Sequence, residues 1–279
     1  MKKILFTGAT GFLGRNLVPE LRKEYELFTP SRKELDLNNV DDIKRYIQKN
    51  NFDVIIHAAI PNIQSDSIEF LLRDSLRTFM QLDELHEYYE KMIYFGSGAE
   101  YDKAYPIIRA DENQIGKRIP QNDYGLAKYM MNRICRSSNN IYNFRIFGCY
   151  GPTDADFKLN TYIIHQCMKE EPIHLRQNVC FDYMYVMDLV PAIKYAIENP
   201  LKYHDYNVCS GTSIEILKMA EHIKKKMKCN VPVTVEKQGM ANEYSGDNTR
   251  FMKEMPMMKF TKFETGIEKL IEFELEVKN

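Results

Sequence analysis

The chain has 279 residues, 44% hydrophobic and 28% charged, enough for one large core or a domain with a smaller lobe. Lys plus Arg is 38 against 39 for Asp plus Glu, a formal net charge of −1. That balance excludes the basic field expected of a nucleic-acid or anionic-lipid binder, and no stretch approaches a membrane span. The six cysteines are widely spaced without a C-x-x-C pair, so they read as reduced thiols in a reducing compartment, with no metal site. The apolar run Ile4-Leu5-Phe6 is too short for a signal peptide, and a cytoplasmic protein is expected.

In chain order, KILFT (3–7) predicts a buried strand, followed by a glycine turn and the helix FLGRNLVPELRKE. YELFTP is a second strand, VDDIKRYIQKN a helix and FDVIIHAA a strand with a continuous apolar run. Residues 66–90 predict a long helix, KMIYFGSG a strand, DYGLAKYMMNRICRSS a helix and NIYNFRIFG a strand. Strand–helix alternation with near-continuous apolar strands predicts an α/β fold, a Rossmann-type doubly wound parallel sheet covered on both faces. This nucleotide-binding domain is assigned to 1–152. After CYGP the pattern is less regular, with helices expected at 160–170, 188–198, 213–227 and 263–274. Residues 153–279 are read as a smaller mixed α/β C-terminal substrate lobe, some of whose elements return to the main domain. The methionine-rich FMKEMPMMKF reads as adaptable packing.

The most specific local signal is Gly8-x-x-Gly11-x-x-Gly14, directly after the first strand and opening a helix. Glycine there permits the tight turn, close approach to a pyrophosphate and packing of helix on strand, while the helix N-terminus presents free N–H groups. Thr10, Phe12 and Leu13 belong to the same cofactor loop. At the end of the second strand an acid would bind a ribose diol, whereas an arginine accommodates a 2′-phosphate. Ser31, Arg32 and Lys33 stand there, which favours NADPH over NAD, with Asp36 and Leu37 later, toward the adenine.

These elements resemble the extended short-chain dehydrogenase/reductases that act on nucleotide sugars. The matching stretches are the glycine loop, HAA (57–59), FGSGAEY (95–101), Tyr124-G-L-A-Lys128, RIFGCYGP (145–152) and FDYMYVMDL (181–189), in family order over nearly the whole chain. The pattern is closest to the 4-keto-sugar reductase branch that includes GDP-fucose synthase, whose SR-x-E-L-D-L is matched at 31–37. The resemblance implies that Tyr124 donates a proton to the sugar carbonyl oxygen and that Lys128 lowers its pKa, which is near 10 for a free tyrosine. It implies that Ser97 hydrogen-bonds the same oxygen. Ala58, Ala59, Ile60 and Gly96 would pack along the cofactor, and Phe147 and Cys149 would sit near the nicotinamide. Gly98, Asn160, Tyr162, Arg176 and Phe181 are the expected substrate contacts, and the helices at 66–90 and 124–136 suggest a homodimer.

Two departures refine that expectation. The epimerising members of the branch use a cysteine two residues after the serine and a histidine ten residues past YGP, where this chain has Ala99 and Tyr162. Reduction without epimerisation is therefore expected. Family members also carry an arginine at Phe181 to grip the substrate pyrophosphate, a task suited to its bidentate fork; Arg176 or Arg250 are the alternatives. His165 is read as a helix-surface residue, and His57 as a strand-end histidine satisfied by backbone. The leading expectation is an NADPH-dependent reductase of a nucleotide-linked 4-keto-deoxysugar. An NAD-dependent 4-epimerase and a catalytically silent NADP sensor are the alternatives.

Overall fold

A computed structural model of the protein describes residues 1–60 and 71–278. Among them, six parallel strands form the main sheet: β1 (Lys3–Thr7), β2 (Glu26–Phe28), β3 (Val54–His57), β4 (Lys91–Ser97), β6 (Ile141–Ile146) and β10 (Asp205–Val208). Their order across the sheet is β10-β6-β4-β3-β1-β2. The chain leaves β1 to one side for β2, then crosses to pair β3 on the other. Thr7 is thereby level with His57, and His57 with Tyr94. This reversal makes a crevice beyond the carboxyl ends of β1 and β3, where ligands of open α/β sheets bind.

The continuous apolar strands are explained by two cores. Ile4, Phe6, Val54 and Ile56 face the side covered by α1 (Phe12–Leu21) and α6 (Leu189–Glu198). Leu5 and Ile55 face the opposite side, against α2 (Val40–Asn50), α3 (Leu71–Glu84) and α4 (Asp123–Ser137). A strand buried on both faces loses the polar alternation of a half-exposed one.

The helix expected over 66–90 begins partly outside the described residues and ends at Glu84, after which His86–Tyr88 form a 3₁₀ turn. Tyr89 is buried and its hydroxyl donates to the Leu82 carbonyl, 2.7 Å away. A freed terminal carbonyl is thus satisfied by a side chain instead of by another helical turn.

The second half builds a mixed sheet. Its path is β11 (Ser213–Glu215), β9 (Cys180–Tyr185), β13 (Tyr244–Gly246) and β5 (Ile107–Ala110), with β7 (Gly148–Tyr150) also on β9. The expected helix at 213–227 starts only at Ile216, as α7 (Ile216–Met227), because Ser213–Glu215 pair antiparallel with β9. A ribbon of β8 (Ile173–Asn178) and β12 (Val233–Met240) lies at the lobe. Helices α5 (Leu159–Lys169), α7 and α9 (Phe263–Lys278) close its core through Ile163, Ile164, Met219, Ile223, Ile267 and Leu270. The helix α8 (Thr249–Glu254) and the methionine-rich segment return to the main domain, where Met255 and Met258 are buried.

Candidate active site

The glycine loop takes the shape its sequence requires. Gly8 has φ +76°, and a Cβ there would lie 2.7 Å from the Ala59 nitrogen and 2.8 Å from the Ala58 carbonyl carbon. Gly11 donates to the Gly8 carbonyl at 3.0 Å and precedes α1 with no side-chain cap, so the first amides of the helix face the crevice without a protein acceptor at its cap. At Gly14 an added Cβ would meet Ala9 at 2.4 Å, which fixes the closeness of helix and loop. Thr10 is exposed at the bend, and Phe12 and Leu13 pack partly against the core behind it. These features fit a diphosphate: the backbone comes close and, among the described residues, no side chain caps the helix.

The tail of β3 forms the crevice's other wall. Ala58 and Ala59 donate to the Thr7 carbonyl and hydroxyl at 3.2 and 3.3 Å, and Ile60 is exposed. His57 is buried, and its partner is the Thr7 hydroxyl (2.9 Å), a side chain and not the expected backbone group. Burial, then the nearby Lys128 charge, pushes its pKa down to about 3, so this imidazole is neutral and structural.

Beyond β2, Ser31, Arg32 and Asp36 are exposed. The Glu34 carboxylate accepts from the Ser31 amide at 2.7 Å, and that bond holds it below the usual carboxylate range. Among the described residues Arg32 makes no ion pair. The Asp36 side chain accepts from the Asn38 amide, and Leu37 packs partly into the second core.

At the reactive end, the Asn122 side chain caps α4 by accepting from the Gly125 amide at 2.8 Å. The helix therefore starts with Tyr124 in its first turn and Lys128 one turn on. Gly125 lets that helix press close, since a Cβ there would lie 2.9 Å from the Ala99 carbonyl oxygen. Ser97 ends β4 and begins a 3₁₀ turn, Gly98–Tyr101, its hydroxyl accepting from the Ala99 amide at 3.2 Å. The buried Lys128 ammonium donates to the Phe95 carbonyl at 2.8 Å and stands 5.8 Å from the Tyr124 ring centroid. Burial pushes its pKa down to about 8, and Glu100 opposes this.

Tyr124 behaves differently from the expectation that Lys128 lowers it. Burial raises its pKa, hydrogen bonding with Ser97 recovers only part, and the Glu100 charge raises it again. The reason is geometric, because the ammonium is turned to the Phe95 carbonyl.

Several residues were not singled out by the sequence. Tyr244 of β13 reaches back so that its hydroxyl lies 2.5 Å from where a Gly98 Cβ would be, and it hydrogen-bonds with Ser97. Burial raises its pKa, and the phenol remains protonated. Behind the serine turn, Arg145 is fully buried and pairs Glu100 at 2.7 Å and Asp205 at 2.9 Å, with Asn207 at 2.9 Å. Glu100 in turn accepts from the Ser97 amide at 3.0 Å, which links the serine to this buried network. Burial pushes Asp205 up, but Arg145 and Arg136 outweigh it and hold the carboxyl below its usual range. Gly96, expected along the cofactor, also makes room for this network: a Cβ there would lie 2.2 Å from Asn143 and 2.3 Å from Glu100.

The residues expected near the nicotinamide and those expected at the substrate separate into two groups. Phe147 and Phe181 flank Tyr244, with ring centroids at 5.1 and 4.6 Å, and Cys149 is a half-buried thiol on β7 whose pKa burial raises strongly. Asn160 is buried at the start of α5, and its side-chain oxygen has no hydrogen-bond partner among the described residues. Tyr162 is turned away into the lobe, its hydroxyl accepting from the His174 amide at 3.1 Å. Arg176 is exposed on the β8–β12 ribbon, and Arg250 is committed to Asp205 at 3.0 Å. His165, expected on the helix surface, is buried and pairs with Glu274 of α9 at 2.6 Å, because α9 covers that face of α5.

Comparison with known proteins agrees with this arrangement. A family model, "NAD dependent epimerase/dehydratase family", matches residues 4–209. Over 99% of both chains the sequence is 27% identical to GDP-L-colitose synthase of Yersinia pseudotuberculosis. The fold is that of UDP-glucose 4-epimerase of Thermotoga maritima, solved with UDP-glucose, at TM-score 0.86 and 18% identity over 99% of this chain and 100% of that one. RMD of Pseudomonas aeruginosa, solved with NADPH, matches equally, with TM-score 0.86 and 18% identity over 100% of each chain. With the glycine cradle at the strand-order reversal and Ser97, Tyr124 and Lys128 gathered at the ends of β4 and α4, the chain belongs to the NAD dependent epimerase/dehydratase family, as an oxidoreductase of the extended short-chain dehydrogenase/reductase type.

Proposed function

We propose that the protein reduces a nucleotide-linked 4-keto-deoxysugar to the hydroxy sugar with NADPH, without epimerising the neighbouring carbons. The observation that carries the reading is the convergence of Ser97, Tyr124 and Lys128, with Ala99, which holds no exchangeable proton, two residues after the serine. A bound nicotinamide supplies a hydride to the carbonyl carbon. The chain's own residues handle the oxygen. Tyr124, kept protonated by burial, donates its phenolic proton to it. Ser97 hydrogen-bonds the same oxygen, and the Lys128 ammonium favours the negative charge that develops there. One hydride reaches carbon and one proton reaches oxygen, which balances a two-electron reduction.

The NADPH preference is supported by Arg32, exposed and unpaired beyond β2 where a diol-binding acid would otherwise stand. Reduction without epimerisation is supported by the apolar Ala99 and by Tyr162, whose hydroxyl is engaged with His174. The test is turnover of 4-keto sugars carried on several nucleotides, in deuterated water with NADPH. The expected result is NADPH consumption with no deuterium at the carbons beside the reduced centre. Deuterium at those carbons refutes the absence of epimerisation. Stoichiometric bound NAD with no NADPH consumption refutes the reductase.

A further inference from the structure

In the aromatic wall of the substrate side, one cation stands where the sequence offers no motif for it. Lys103 follows the serine turn directly, and the bend that presents it is fixed by Asp102. That residue is buried with φ +70° and accepts from the Ala104 amide at 3.1 Å. The Lys103 ammonium lies 4.6 Å above the Tyr244 ring centroid and 5.8 Å from that of Phe181. Phe181 and Tyr244 are themselves in contact at 4.6 Å, and Tyr244 reaches Ser97 with its hydroxyl. A single tyrosine ring therefore separates Ser97 from the ammonium, a gap of the order of one sugar ring.

We propose that Lys103 is the anchor for the substrate's diphosphate, taking from a neighbouring turn the role that an arginine at the position of Phe181 plays in related sequences. The inference rests on the reading of the substrate as a nucleotide-linked sugar. A sugar with its carbonyl oxygen at Ser97 and Tyr124 lies along Tyr244 and brings the phosphate on its anomeric oxygen to Lys103. Among the described residues no carboxylate pairs with this lysine. Although its side chain is exposed, desolvation of the ammonium by the rings, and then repulsion from Lys158, holds its pKa below the ordinary lysine value. Lys103 and Lys158 set two positive charges on this cleft, and Asp154 beside Lys158 offsets only one of them, so the remaining field favours an anion between the lysines. Lys158 stands at the head of α5 with no side-chain cap, so free helix amides lie on the same side as the second cation. Phe181, with no charge of its own, contributes a ring on which the lysine rests. A lysine acts on phosphate as a point charge, without the bidentate fork of arginine, so the anchor tolerates variation in diphosphate geometry.

The experiment is calorimetric titration of the NADP-loaded protein with GDP, CDP, UDP and dTDP, for wild type, Lys103→Gln, Lys103→Arg and the double variant Lys103→Gln/Phe181→Arg. At least one diphosphate is expected to bind wild type. Lys103→Gln should weaken it by roughly 10- to 100-fold, the worth of a charge-assisted hydrogen bond. Lys103→Arg should retain affinity within a few-fold, and the double variant should recover most of the loss, because it returns a cation to Phe181. A loss below about threefold in Lys103→Gln, the size of a screened surface pair, overturns the anchor and leaves the substrate class standing. Failure of every diphosphate to bind wild type overturns the substrate class and the anchor together. Melting temperatures equal to wild type in all variants exclude misfolding as the cause; a Lys103→Gln variant that melts early but whose Lys103→Arg counterpart binds normally still supports the role of charge.

Discussion

The two halves of the cleft are built by opposite means. On the cofactor side, backbone does the work: glycines at 8, 11 and 14 and the tail of β3 leave space and free amides, and few side chains project into the cradle. On the opposite side, side chains do it, as Phe147, Tyr244 and Phe181 pack their rings at a tilt into a wall. A backbone cradle is set by local sequence, whereas this aromatic wall is assembled from β9, β13 and the residue before β7, segments far apart in the chain. The difference teaches that the backbone cradle is locally encoded and the aromatic wall is an outcome of tertiary assembly.

The largest expected effect strikes the seam between the halves. Tyr124→Phe should lower kcat by roughly 10²- to 10⁴-fold with melting unchanged, as loss of a proton donor does; a smaller loss would assign the proton to Tyr244. The same assay, run against pH on wild type, should show kcat/KM falling as pH rises through about 8, because Lys128 is charged below that value and neutral above it. A flat profile to pH 10 would remove the lysine charge from the chemistry.

The network behind Ser97 comes next. Arg145→Met leaves Glu100 buried without its paired cation, while Asp205 keeps Arg136 and Arg250, and should cost about 3–5 kcal/mol in urea unfolding. A cost under about 1 kcal/mol would show that water or another cation reaches Glu100.

On the backbone side, Arg32→Ala should weaken NADPH binding by roughly 10- to 100-fold and NADH by much less, since only NADPH carries the extra phosphate. Equal losses, measured by fluorescence titration, would detach Arg32 from the 2′-phosphate. The smallest effect is expected from Tyr162→Phe. It should cost about 1 kcal/mol of stability from the lost bond to the His174 amide, with kcat unchanged. A drop in kcat would return Tyr162 to the cleft.

Much of the fold was legible because its period and punctuation are local. The alternation of strand and helix, the glycine loop and the tyrosine–lysine spacing are each written within a few residues; the first two take the geometry expected of them, while Lys128 turns to the Phe95 carbonyl. The strand at Ser213–Glu215 and the early end of α3 escaped because both are decided by distant partners, β9 and the Tyr89 hydroxyl respectively. His165 was misread as a surface residue since the sequence does not reveal that α9 covers α5. Gly96 reads as a cofactor contact, and the sequence does not reveal that it also makes room for Asn143 and Glu100. Arg145 opens the matched stretch RIFGCYGP without a role being legible there, Tyr244 and Lys103 carry no motif, and only packing brings the three beside Ser97 or its turn.

The buried guanidinium of Arg145 has a consequence for biosynthesis. Its second counter-charge Asp205 lies on β10, some sixty residues downstream, and β10 joins the edge of the main sheet only after α5, β8, β9 and α6 have been made. A nascent chain that has emerged only as far as β6 therefore holds a charged side chain in an apolar interior with one of its two carboxylates missing. Domains form as their sequence leaves the ribosome, so the glycine cradle can take shape early, while the serine turn waits for β10. The cradle precedes the serine site, and a chain truncated before β10 carries the glycine loop without a settled Ser97.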